Sequence, residues 1–83
     1  MLVKYRSKTD VIARILEVAN GNWVIQTKIL YEGLLSYSQL KEYLLLLIEN
    51  DLLEYKPENQ TYKTSEKGLR FLDVYHNIDQ LIK

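Results

Sequence analysis

Residues 36–64, SYSQLKEYLLLLIENDLLEYKPENQTYKT, leave this chain few ways to fold. Ser36 is a good N-cap, with Ser38 as an alternative, because a hydroxyl accepts from the unpaired N–H groups of a first helical turn. Leu40, Leu44, Leu47 and Ile48 then recur at i, i+4, i+7 and i+8, the apolar stripe of a helix that runs from Ser36 to near Asn50. Directly afterwards the period changes to two. Leu53 and Tyr55 point one way, Glu54 and Lys56 the other. On a return strand over 61–63, Tyr62 faces inward and Thr61 and Lys63 face out. Between the two strands, Pro57 pre-sets a turn and Asn59 is able to take left-handed geometry. One capped amphipathic helix therefore feeds directly into a short β-hairpin.

The segment upstream completes the layout. Ser7 or Thr9 caps a first helix that carries Val11, Ile12, Ile15, Leu16 and Ala19 at helical spacing. Asn20-Gly21 ends it, Gly21 suiting a left-handed C-cap. Trp23-Val24-Ile25 is β-prone and predicts a short strand. Gln26 or Thr27 starts a second helix with Ile29, Leu30 and Leu34, and Gly33 opens a tight turn into Ser36. Two helices joined by such a turn match the helix-turn-helix pattern, and the hairpin adds a wing. The expected fold is mainly α with a small hairpin (α+β), a winged helix-turn-helix in the order helix, strand, helix, helix, strand, strand, helix. The core spans 1–64, and 65–83 forms a C-terminal helix of the same domain, capped by Thr64 or Ser65.

That last helix is apolar on two faces. Leu69, Leu72 and Tyr75 or His76 make one; Phe71, Val74, Ile78 and Leu81 or Ile82 make the other. A three-helix core covers one face only. The other is expected to pack on the same helix of a second copy, as a two-stranded seam in a homodimer. The competing arrangement is one broad face folded back on the body. Oligomerisation also suits the size, since a chain of 83 residues builds only a small core.

Composition narrows the function classes. No cysteine is present, so disulfides and thiolate metal sites are out. The longest apolar run, 43–48, falls far short of the roughly 20 residues that span a bilayer, and no signal peptide is visible. The expectation is a soluble, cytoplasmic protein without a membrane partner. His76 is the sole histidine, and Asp10, Glu17, Asp73 and Asp79 are scattered helix-face carboxylates. Neither a phosphate-binding P-loop nor a dinucleotide fingerprint occurs among three glycines. No enzyme activity, cofactor or metal is expected, and no small-molecule effector can be read from these residues.

Net charge is zero, which argues against non-specific coating of nucleic acid. Its distribution is uneven. Lys4, Arg6, Lys8 and Arg14 outnumber Asp10 and Glu17 at the start, and Lys56, Lys63, Lys67 and Arg70 outnumber Glu58 and Glu66 around the hairpin. Residues 21–55 are acidic, with Lys28 and Lys41 against Glu32, Glu42, Glu49, Asp51 and Glu54. In the first turns of the 36–50 helix, Tyr37, Ser38, Gln39, Lys41 and Glu42 lie mostly off the apolar stripe. They are residue types that hydrogen-bond base edges and phosphates, or else an ordinary solvent face. Lys56 and Lys63 flank the wing within reach of phosphate, or equally serve as edge-strand lysines that block aggregation.

Taken in order, these segments resemble the small archaeal winged helix-turn-helix proteins of the predicted transcriptional-regulator type. The family pattern is similar to S-x-x-Q-L-x-x-Y-L-x-x-L, then L-[LI]-E, then Y-x-x-T-x-K-G. This chain supplies Ser36, Gln39, Leu40, Tyr43, Leu44 and Leu47; Leu52, Leu53 and Glu54; and Tyr62, Ser65, Lys67 and Gly68. The 6–21 and 27–36 segments also look like that family. Two departures matter: Asp51 stands where Gly is usual, and Leu45 where a polar residue is usual. The resemblance implies double-stranded DNA as partner and, in some members, dimerisation through the last helix. It implies that Tyr37, Ser38, Gln39 and Lys41 enter the major groove, with Gln39 able to pair bidentately with adenine. Thr27 and Lys28 would touch phosphate, Arg6 and Lys8 would reach the backbone from the arm, and Lys56 and Lys63 would anchor the wing. Phe71, Val74, Ile78, Leu81 and Ile82 would form the dimer seam. The near-neutral charge favours a site-selective regulator over bulk packaging. The alternative is a winged helix that binds protein instead of DNA, supported by the acidic middle segment and by Leu45.

Overall fold

A computed structural model describes residues 7–82. The order is α1 (Lys8–Val18), β1 (Val24–Ile25), α2 (Gln26–Glu32), α3 (Tyr37–Glu49), β2 (Leu53–Lys56), β3 (Thr61–Thr64) and α4 (Glu66–Ile82). This is the expected winged helix. Arg6 and the rest of the N-terminal arm ahead of it lie outside the described residues.

Local chemistry fixes each boundary. Ser7 and Asp10 close a capping box at α1: the Asp10 N–H donates to Ser7 Oγ (3.1 Å) and the Ser7 N–H to Asp10 Oδ2 (3.2 Å). Ser36 and Gln39 repeat the device at α3, at 3.2 and 3.0 Å. Gly21 is left-handed, as expected. Gly33 caps α2 for a steric reason, since a Cβ there would sit 2.6 Å from the Ile29 carbonyl oxygen. The left-handed residue of that turn is Leu34, at φ 56°. This corrects the placement of Leu34 in the second helix: it follows the helix end and is 70% exposed. In the hairpin, Asn59 is likewise displaced from the left-handed role by Gln60, at φ 54°. The Asn59 side chain instead accepts a hydrogen bond from Thr61 Oγ1 (2.6 Å).

The sheet has the order β1-β3-β2, with both pairings antiparallel. Val24, Tyr62 and Tyr55 lie in register and share the inner face. Ile25, Thr61 and Lys56 share the outer one. Thr61 faces out as the alternation requires, yet it is buried between those two neighbours. The core joins Ile15, Leu16, Ile29, Leu40 and Leu47 with Val24, Leu53, Tyr62 and Leu72.

The start of α4 is stapled to the end of α3. Ser65 Oγ donates to the Asp51 carbonyl (2.6 Å) and accepts from the Gly68 N–H (3.0 Å). Lys67 Nζ donates to the Asn50 carbonyl (2.9 Å). A Cβ on Gly68 would lie 2.4 Å from the Leu52 carbonyl oxygen. Asp51 is left-handed, at φ 60°, so the backbone there does what the family's usual glycine would do. The Thr64 hydroxyl donates to the Leu16 carbonyl (2.7 Å), which ties the hairpin to α1.

The two-faced reading of the last helix needs one change of phase. Leu72 and Tyr75 pack inward, Tyr75 donating to Asp10, and His76 Nε2 meets Glu17 Oε2 at 2.8 Å. Leu69 is largely exposed, whereas Phe71 packs partly on the core. The Ser65 anchor sets a helix phase that leaves Leu69 on the solvent side.

Candidate nucleic-acid interface

Burial of Leu40, Leu44 and Leu47 fixes which side of α3 faces away from the body. That side presents Tyr37, Ser38, Lys41, Glu42, Leu45 and Glu49, all exposed. Lys41 Nζ sits 5.2 Å from the centroid of the Tyr37 ring, a weak cation–π contact that leaves its ammonium in solvent. Ser38 Oγ lies 3.4 Å from Ser36 Oγ. Gln39 is differently placed. Its Oε1 accepts from the Ser36 N–H in the capping box, so a bidentate pair with adenine, which needs both amide atoms, requires that box to open. Its amide nitrogen stays available as a donor.

At the start of α2, Thr27 and Lys28 are exposed, and Lys28 makes a long ion pair with Glu32 (3.9 Å). No side chain caps α2. Lys8 lies across a shallow hollow from Glu42, Tyr43 and Leu46, beside α3. Half-buried Leu46 thus faces α1.

Beside the wing lies a residue to which the sequence assigned a strand but no functional role, Trp23. Lys56 Nζ lies 4.3 Å from the centroid of the Trp23 ring, and Lys63 Nζ lies 5.8 Å from the same centroid. Both are within cation–π range. The two lysines come from different strands, and Trp23 comes from the segment that enters β1. Glu54 lies directly opposite Lys63 in the register but forms no ion pair with it. The indole therefore gathers two cations on the outer face of the sheet. The signal was present in the alternation, which sets Trp23 opposite in sense to Val24. It lacked the strand order that brings β1 beside β3. On the inner face, the Tyr55 and Tyr62 rings meet with centroids 4.9 Å apart, tilted by 36°. Burial, and secondarily Tyr55, push the Tyr62 phenol above its ordinary value.

On α4, Val74, Ile78 and Leu81 are 56%, 52% and 85% exposed. With Phe71 they recur at spacings of three and four, the a/d pattern of a coiled-coil seam. Phe71, Val74 and Ile78 also line a groove of about 290 Å³ against Ser7, Thr9 and Asp10 at the start of α1. The side chain of Ile82 is outside the described set. Among the described residues, no three His, Asp or Glu side chains group to hold a metal, and no helix is long and apolar enough to cross a membrane.

The coordinates are similar to those of Sso10a-2, a DNA-binding protein from Sulfolobus solfataricus, with a TM-score of 0.82. The match covers 92% of this chain and 81% of that one at 22% identity, a likeness of fold. No curated protein matches the chain. Residues 5–83 match the winged helix-turn-helix family. With that match spanning nearly the whole sequence, and with the sheet order and capped helices described above, the chain belongs to the winged helix-turn-helix family.

Proposed function

We propose that this protein binds duplex DNA as a site-selective transcriptional regulator. The observation that carries the proposal is the pairing of two surfaces: the outward side of α3 and the lysine-bearing outer face of the wing. In this reading α3 enters the major groove with its N-terminal end leading, as recognition helices do. Tyr37, Ser38 and Lys41 contact base edges and phosphate there, and the Gln39 amide nitrogen donates from behind the cap. Lys56 and Lys63, held on Trp23, clamp the flanking backbone. Thr27 and Lys28 add phosphate contacts, with Lys8 from the first turn of α1 and Arg6 from the arm ahead of it. Two copies joined through Phe71, Val74, Ile78, Leu81 and Ile82 read half-sites spaced by whole helical turns. The DNA-binding character of the similar Sulfolobus protein supports this reading.

The test is titration of random and genomic duplexes at several salt concentrations, with molar mass measured alongside. The reading expects saturable binding and a dimer mass. A salt slope near zero removes DNA as the partner, because phosphate contacts necessarily release counterions. The second reading, a protein-binding winged helix, draws on the exposed apolar side chains of Tyr31 and Leu34 at the end of α2. Alanine at Ser38 and Lys41 separates the two: loss of duplex binding with an intact fold favours DNA.

A further inference from the structure

Leu45 has no structural reason to be where it is. The core stripe of α3 is complete without it: Leu40, Leu44 and Leu47 are buried and Ile48 packs against them. Leu45 is 60% exposed. It follows Lys41 by four residues and Ser38 by seven, so all three share one face of the helix. Glu42 and Glu49 flank that face. An aliphatic side chain at such a position leaves most of its surface in water and adds little to the packing of the core.

We propose that Leu45 contacts the 5-methyl group of thymine in the major groove, and so makes a 5-methylpyrimidine part of the recognised site. The inference rests on the DNA-binding reading above. The patch has the right scale, because one leucine between two carboxylates is too small for a protein interface. It matches a single methyl group, the apolar feature that thymine presents in that groove. Placement agrees as well. From Tyr37 to Leu45 the helix rises about 12 Å, so Leu45 lies within the span of a helix lying along the groove. The two glutamates sharpen the preference. They are repelled by phosphate and tolerated only where the face meets base edges, and a carboxylate there accepts from the cytosine N4 amino group. The outward side of α3 is thereby built to read pyrimidines more than backbone.

The experiment uses the best duplex selected from a random pool, remade with deoxyuridine in place of every thymine in the protected region. Burial of one methyl group is worth about a fourfold change in Kd at each contacted thymine, so the deoxyuridine duplex should bind about fourfold more weakly per half-site. Leu45→Ala should bind the thymine duplex more weakly and should no longer distinguish the two. Its exposure keeps the fold intact, which circular dichroism checks, and the four affinities form a cycle that cancels any effect of deoxyuridine on duplex shape. Equal affinity of the wild-type protein for both duplexes overturns the proposal. So does a Leu45→Ala variant that keeps the full discrimination. Absence of binding to every duplex in the pool instead overturns the DNA reading itself.

Discussion

At Asp51 the backbone is committed from both sides. Its N–H donates to the Ile48 carbonyl (3.0 Å), and its own carbonyl accepts from Ser65 Oγ. These bonds hold φ at 60°, a conformation that costs an L-residue with a Cβ about 1–2 kcal/mol. Asp51→Gly removes the Cβ and returns part of that gain as unfolded-chain entropy. The expected net stabilisation is about 0.5–1 kcal/mol, read as a higher urea midpoint at unchanged slope. Gln39 gives a second case. Gln39→Ala opens the capping box and is expected to cost about 0.5–1.5 kcal/mol, whereas Gln39→Glu keeps a carbonyl oxygen for the Ser36 N–H. If Gln39 also donates to DNA, Gln39→Glu should keep the thermal midpoint and lose affinity, since a carboxylate cannot donate. Equal affinity for wild type and Gln39→Glu would make this residue a cap alone. Ser36 was legible in the sequence as a cap and Gln39 as a groove contact; that Gln39 closes the same cap with its oxygen emerges only from the geometry. Leu34 was not legible. Its spacing from Leu30 fits a helix, and the steric stop at Gly33 is visible only once the Ile29 carbonyl is in place.

At the scale of elements, the wing was readable as strands because its side chains alternate, and α3 because its apolar stripe is long and capped. What alternation cannot give is which strand lies next to which. The order β1-β3-β2 places Trp23 beside both wing lysines, and this makes it the support of the proposed clamp. A lysine that is already ordered loses less side-chain entropy when it meets a phosphate, a saving of about 0.5–1.5 kcal/mol for each immobilised side chain. By releasing Lys56, the closer of the two, Trp23→Ala is expected to weaken duplex binding by roughly threefold to tenfold while leaving the salt slope unchanged, because the same charges still reach the same phosphates. Trp23→Phe, a weaker cation–π partner, should fall between. A reduced slope would mean that the lysines lost their contacts altogether. The α3–α4 staple was legible only as a motif. Lys67 and Gly68 stand in the sequence pattern without a reason, and the reason is tertiary: one bonds the Asn50 carbonyl and the other passes under the Leu52 carbonyl. Gly68→Ala, with a methyl forced against backbone, should destabilise by about 1–3 kcal/mol.

For the molecule as a whole, zero net charge sets the terms. There is no broad positive field to draw DNA in, so in the proposed reading affinity comes from a small number of placed contacts, doubled if the proposed dimer forms. The available cations suggest about 3–5 phosphates per subunit, which gives a salt slope of roughly −3 to −4.5 for one subunit and about twice that for a dimer bound as a unit. This makes the proposed seam on α4 testable through DNA. Ile78 is half exposed and lies in the middle of the a/d pattern. Ile78→Glu places a carboxylate opposite its own copy in a symmetric seam while leaving the Leu72 side of the helix in the core. The expected result is a monomeric mass, an unchanged helical spectrum and weaker duplex binding with a slope about half that of the wild type. The halving matters more than the loss of affinity, since a misfolded subunit also binds weakly but does not shed half of its phosphate contacts. If the variant is monomeric and keeps the full slope, each wild-type subunit binds DNA alone, and the exposed face of α4 serves something other than the pairing of half-sites.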